Sequence, residues 1–274
     1  MLVLYAEHVE KLESTPGVEA GQRAEALTNA ARFAASVGKP DIARGYYERA
    51  LEAATGTLLE ADAWAGLAEV VPLRERLPLF DKAIAIRRRQ AGDDALVVAL
   101  LRRSAEAAAV RGDAAGAFER YRQAVAVGEK LLPARSPELA GALVDLGFAY
   151  EQRERFAEAA ARYKRALAIQ EVALGARHPE TAITLNNLAG VVGAQGDLTQ
   201  AERLLRRALN TLTENLGPWH LRVAVCAGNL ADLLVATRRP KEARVLYERA
   251  IGVYEHLGDA ESAGELRRVA AELR

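Results

Sequence analysis

The side chains able to carry chemistry are few and scattered. The 274-residue chain has four histidines, His8, His178, His220 and His256, and none forms His-Glu-x-x-His or another metal-ligating spacing. His178 and His220 lie 42 residues apart at equivalent inter-helix positions, so they read as loop punctuation rather than ligands. The single cysteine, Cys226, sits between Val225 and Ala227, a setting for a small buried hydrophobe more than a reactive thiol. One cysteine builds neither a disulfide framework nor a cysteine zinc site. Gly190, Gly193 and Gly196 form a G-x-x-G-x-x-G string, but no strand precedes it and no phosphate-binding lysine follows, so it is a turn feature. Carboxylates alternate with arginines, as in Glu202-Arg203 and Glu248-Arg249, the pattern of a solvated helix face with weak ion pairs. Arg87-Arg88-Arg89 reads as a helix C-terminus, where cations favour the dipole. No acid–base pair, nucleophile, metal set or cofactor motif stands out. The expectation is a protein with no catalytic residues, no metal and no cofactor.

Composition narrows the partners. Lys+Arg and Asp+Glu each number 37, for a formal net charge of zero, so the basic excess of a nucleic-acid binder or a polybasic membrane-surface protein is missing. A charged fraction of 27% amid regular apolar residues is not a disordered composition. No run approaches the ~18 apolar residues of a spanning helix. The N-terminus has no basic region and its apolar stretch breaks at Glu7, unlike a secretory signal. Cytoplasmic location is the default expectation, and the preference for Arg over Lys points to a high-GC bacterial genome. Half the residues are hydrophobic, yet aromatics make up 5%. Alanine fills the gap at about a fifth of the chain, well above average usage. That suits closely packed helices without one large core.

A repeat sets where the alanines fall. Ala117, Ala159, Ala201 and Ala243 recur every 42 residues, as do Ala124, Ala166, Ala208 and Ala250. Tyr121, Tyr163, Leu205 and Tyr247 supply the large residue between them, while Ala105, Gly147, Ala189 and Ala231 keep a small one upstream. Ala31, Ala43, Tyr47 and Ala50 begin the same series earlier. In the fifth copy Ile183, Leu185, Leu188, Ala189 and Val192 mark one helical face. Gly196-Asp197 then interrupts, and Ala201, Leu204, Leu205, Ala208 and Leu212 mark a second. All nine prolines are expected at joints, with Pro72 and Pro78 bracketing an irregular turn. In the second copy two registers are open for the first helix: Trp64, Leu67, Ala68 and Val71, or Ala61, Trp64, Ala65 and Ala68. Small residues at crossings let helix backbones approach, and each hairpin leaves an apolar face that only its neighbour covers.

The small-large-small ladder resembles the tetratricopeptide repeat. Its 42-residue period, with His178-Pro179-Glu180-Thr181-Ala182 and Leu185-Asn186-Asn187-Leu188-Ala189, resembles the kinesin light chain subtype. No heptad run accompanies it, so the motor-linked role is not carried over. The resemblance implies an all-α fold: an α-solenoid, a right-handed superhelix of about six helical hairpins whose first helices line a concave groove. Expected repeats are 20–54, 57–91, 94–132, 136–174, 178–216 and 220–257, in a single solenoid over 1–274. Residues 1–19 form an N-terminal helix or cap, and residues 259–274 a C-terminal cap.

The resemblance also implies where a partner sits. Asn29, Asn187 and Asn229 stand two residues before the small alanine, with Arg103 and Asp145 in their place in copies three and four. Two readings are open: groove amides that hold a peptide backbone, or hydrogen bonds to the adjacent repeat. Arg32, Arg102, Glu106, Val144, Phe148, Asn186 and Asp232 fill in the same surface, and Gly190 and Gly193 leave room in copy five. Mixed signs, and Ala99 where a carboxylate clamp needs lysine, argue against capture of a chaperone tail. The expected function is non-enzymatic: a scaffold binding a protein or peptide segment, with a regulatory or sensor module and a self-associating array as alternatives. No nucleic acid or membrane partner is expected. The stripe Leu2, Tyr5, Val9 and Leu12 either caps repeat one or pairs two chains as a homodimer.

Overall fold

The computed structural model describes residues 1–273. Among them all regular structure is helical. The chain groups into two compact units, Met1–Leu132 and one that begins at Pro133. The first holds α1 (Leu2–Ser14), α2 (Ala20–Ser36), α3 (Pro40–Ala53), α4 (Leu58–Val70), α5 (Leu73–Ala91), α6 (Ala95–Val110) and α7 (Ala114–Leu131). The second holds α8 (Pro137–Glu151), α9 (Phe156–Ala173), α10 (Pro179–Ala194), α11 (Leu198–Leu216), α12 (Leu221–Ala236), α13 (Pro240–His256) and α14 (Ala260–Glu272). Within each unit, consecutive helices pack as antiparallel hairpins, and each hairpin packs on the next. This is an all-α solenoid of helical hairpins.

Local chemistry sets the joints. Prolines open α3, α8, α10 and α13, where a missing N–H costs nothing. Asp94, Asp113, Asp197 and Asp259 accept a backbone N–H from the first turn of the following helix. Gly196 takes φ +95° after α10, and its neighbour Asp197 N–H reaches back to the Val192 carbonyl at 3.2 Å. That left-handed closure satisfies carbonyls at the helix end and turns the chain into α11. Copies four and six place Glu154 (φ 56°) and Arg238 (φ 60°) in the same left-handed position.

The repeated alanines are buried, Ala124, Ala166, Ala208 and Ala250 completely. Tyr163 is also fully covered, and a Cβ added at Gly147 would lie 2.7 Å from its ring. Small residue and large residue therefore meet across the crossing.

Repeat two departs from expectation. Pro78 lies inside α5 instead of bracketing a turn, so position 78 has no N–H to offer the Arg74 carbonyl. Leu77, Leu79 and Phe80 around it pack with buried Ala68 and Ala107. Burial of side chains such as Phe80, each about 1.5–3 kcal/mol, offsets the ~3 kcal/mol a helix-interior proline costs. The buried face of α4 combines both open registers: Ala61, Ala63, Leu67 and Ala68, with Val71 just beyond. Trp64 is half-buried, with the Lys82 ammonium 4.1 Å from its ring centre.

The ends are caps. Val9 of α1 is buried, Leu2, Tyr5 and Leu12 border the same cluster as Leu27 and Tyr47, and the Tyr5 ring stacks 5.2 Å from Phe33. Glu13 pairs with Arg49. At the other end α14 buries Ala263 and pairs Arg267 with Glu255.

Candidate functional site

In the second unit the first helices α8, α10 and α12 run side by side, and a cavity of 490 Å³ opens across them. Copy five makes the space. It has Gly190 where its neighbours carry Phe148 and Asp232, Gly193 where they carry Glu151 and Val235, and Leu205 where they carry Tyr163 and Tyr247. A Cβ at Gly190 would come within 3.7 Å of Glu151 Oε1, so that carboxylate faces the gap. Leu198, Leu205, Val225 and Leu233 give it apolar walls.

Amides line one side. Asn229 Nδ2 donates to Asn186 Oδ1 at 3.0 Å, and Asn186 Nδ2 donates to Asn187 Oδ1 at 3.3 Å. A bond to the adjacent repeat, one of the two open readings, is present between Asn229 and Asn186. Both asparagines also border the open cavity, so the two readings are compatible.

Two carboxylates reach the same cavity, each braced by a tyrosine from the second helix of its own hairpin. Tyr163 O–H donates to Glu151 Oε2 at 2.8 Å, and Tyr247 O–H donates to Asp232 Oδ1. Burial raises the Glu151 pKa above the usual carboxylate value, against the lowering effect of the Tyr163 hydrogen bond. Both tyrosine hydroxyls are pushed up, by burial first and by the adjacent carboxylate. Among the described residues no Lys or Arg lines the cavity. Phe148, 51% exposed, stands at its rim.

The first unit has a smaller cavity of 310 Å³, lined by Arg32, Asp62, Glu69, Arg87, Leu96 and Arg103 among others. Here the charges neutralise one another. Asp62 lies 3.6 Å from Arg32 and 3.2 Å from Arg87, which also binds Asp94 at 2.8 Å. Arg103 pairs with Glu69 and with Glu106 at 3.1 Å.

The expected groove residues divide accordingly. Phe148, Asn186, Asn187, Asn229 and Asp232 come together in the second unit, and Arg32 and Arg103 in the first. Val144 and Asp145 lie on α8, Asn29 on α2, and Arg102 and Glu106 on α6, outside these linings. Sequence reasoning missed Glu151, Val225, Leu233, Asp62, Glu69 and Arg87. Glu151 had a signal: it sits 42 residues before Gly193, at the repeat position of a glycine that borders the cavity.

The remaining chemical side chains are structural. The Nδ1 atoms of His178 and His220 accept the Glu180 and Arg222 N–H groups, capping α10 and α12. Cys226 is buried, its thiol donates to the Leu205 carbonyl at 3.6 Å, and burial pushes its pKa up to about 12. Among the described residues no His/Cys/Asp/Glu group could hold a metal ion, and no helix is long and apolar enough to cross a membrane.

Stacked hairpins with small residues at the crossings define the class of α-helical repeat proteins. Residues 138–214 and 180–256 match the tetratricopeptide repeat model, so this stretch of the chain carries tetratricopeptide repeats. Its fold is similar to that of BtubC (BKLC) from P. vanneervenii, at 24% identity and a TM-score of 0.57 over 74% of this chain and 91% of that one. A putative kinesin light chain from Podosopora anserina with nearly identical TPR-like repeats is 22% identical, with a TM-score of 0.58 over 72% and 94% of the two chains. A Signal Transduction ATPase with Numerous Domains protein with a tetratricopeptide repeat sensor, from Pyrococcus horikoshii, is 15% identical. It superposes with a TM-score of 0.75 over 97% of this chain and 42% of its own. No curated protein matches in sequence. The tetratricopeptide fold supports a protein–protein interaction scaffold.

Proposed function

We propose that the chain is a non-enzymatic scaffold that holds a peptide or protein segment along the first helices of its second unit. The observation that carries this is the open cavity shared by α8, α10 and α12, where the Asn186, Asn187 and Asn229 amides stand beside Phe148 and aliphatic walls. Amides can meet the backbone of an extended segment, and an exposed ring with apolar walls can take its anchors. Val144 and Asp145, also on α8, would flank that surface, and Asn29, Arg32, Arg102, Arg103 and Glu106 would serve as contact residues of the first unit by itself. A displayed random dodecapeptide library, selected on the full chain, tests it. Recovered peptides should lose at least tenfold in affinity on Phe148→Ala with Asn187→Ala. An empty selection, or peptides indifferent to that pair of changes, overturns the proposal.

A sensor or regulatory module is the second reading, favoured by the likeness to the Pyrococcus horikoshii protein with a tetratricopeptide repeat sensor over 97% of this chain. Homodimerisation through α1 has less to work with, since Tyr5, Val9 and Leu12 are used within the chain and only Met1, Val3 and Leu4 stay exposed on it as large apolar groups.

A further inference from the structure

We infer that the cavity across α8, α10 and α12 selects a basic side chain, arginine or lysine, from the peptide it holds. This rests on the peptide-binding reading above and adds the chemistry of the anchor.

Charge accounting points to a cation. Elsewhere on the chain, carboxylates are met by arginines: Asp62 by Arg32 and Arg87, Glu69 by Arg103 and, on a second helix, Glu202 by Arg206 and Arg239. Glu151 and Asp232 differ. Neither is in an ion pair among the described residues, and each is instead held by a tyrosine hydroxyl on one oxygen. A hydrogen bond from a neutral hydroxyl orients a carboxylate but leaves its charge uncancelled. Both approach the same space, which among the described residues no Lys or Arg borders. Keeping Glu151 half-buried without a counter-charge is costly, a cost that an incoming cation removes.

Shape agrees with charge. Gly190, Gly193 and Leu205 replace the larger or charged groups of the adjoining copies, and both carboxylates border the one gap this leaves. Leu205, Val225 and Leu233 offer an apolar wall for the aliphatic stem of a Lys or Arg, which packs its methylenes while the head reaches a polar end. The exposed Phe148 ring at the rim suits a guanidinium or ammonium passing over its face. Asn187 and Asn229 can accept further N–H groups through their side-chain oxygens.

The test uses the peptides recovered from the dodecapeptide library on the full chain, remade with each arginine replaced by citrulline, its neutral isostere, and each lysine by norleucine. One basic position should be common to the binders, and neutralising it should weaken binding at least tenfold. Glu151→Gln with Asp232→Asn should weaken the parent peptide by a similar factor, yet leave the citrulline peptide unaffected. Glu151→Gln keeps an acceptor for Tyr163, and a far-ultraviolet melt checks that the variant is folded. Binders that depend on Phe148 and Asn187 but carry acidic or neutral anchors overturn the cation inference and leave the peptide groove standing. Binders indifferent to Phe148 and Asn187, or none at all, overturn both.

Discussion

The side-chain amide of Asn229 on α12 donates to the side-chain oxygen of Asn186 on α10 at 3.0 Å, joining neighbouring hairpins across the face that borders the cavity. Asn186 passes the connection to Asn187 at 3.3 Å. The asparagines thus combine a packing role with a surface that is still open. Asn229→Ala should cost the second unit about 0.5–1 kcal/mol, at the low end for a hydrogen bond because Asn229 is exposed. Urea titration followed by circular dichroism would measure it. A loss above about 3 kcal/mol would mean that the side chain does more than bridge two helices.

Glu151 should make stability fall as pH rises through the acid range. Its folded pKa is raised by burial, so the folded state holds its proton more tightly than the unfolded chain does. The benefit is complete below the unfolded value of about 4.3 and is lost as pH climbs through the raised folded value. Glu151→Gln should therefore be more stable than the parent at pH 7, with the advantage vanishing near pH 3.5. Thermal melts of the two proteins across that range decide it, and parallel curves would refute the assignment.

Small residues at the crossings should resist enlargement. Gly147→Ala places a methyl 2.7 Å from the buried Tyr163 ring, whose hydroxyl is already held by Glu151. The strain should exceed the helix-propensity gain and leave a net loss of about 1–2 kcal/mol. Ala166→Phe, at a fully buried position, should cost ~1–3 kcal/mol. An unchanged melting midpoint in either variant would show that the crossing can open.

Left-handed turns offer the opposite sign. Arg238 and Glu154 are exposed residues at φ 60° and 56°. Replacement of each by Gly removes a Cβ clash worth roughly 1–2 kcal/mol, less the added freedom of the unfolded chain. A gain of about 0.5–1 kcal/mol per site is expected in chemical denaturation, and a loss would show that these side chains hold the turns.

Cys226 should be silent in the folded protein. With its thiol pushed up to about 12 and buried, almost none is thiolate at pH 8. Titration with a thiol-specific disulfide reagent should show reaction only after unfolding, and fast native labelling would contradict the burial.

Much of the fold was legible because a hairpin repeat writes its packing as spacing. The 42-residue interval of alanines, glycines and prolines marks helices, joints and crossings without knowledge of any distant contact. Pro78 escaped that reading: local rules place proline at a joint, whereas burial of Phe80 and its neighbours keeps α5 continuous through it. The α4 face was likewise decided by its neighbours, which cover members of both registers.

The site was legible in part. Asn186, Asn187, Asn229, Phe148 and Asp232 announced themselves by repeat position, and the cavity does join them. Arg32 and Arg103 stood at similar positions, yet Asp62 and Glu69 neutralise them, and sequence spacing does not show an ion pair made between separate helices. Outside α4, periodicity alone determined which residues face a neighbouring helix, because a helix returns to the same side every 3.6 residues. Only the tertiary structure decided which carboxylates go without a counter-ion. Glu151 and Asp232 lie 81 positions apart in sequence, and charge compensation depends on distances through space that three packed hairpins set together.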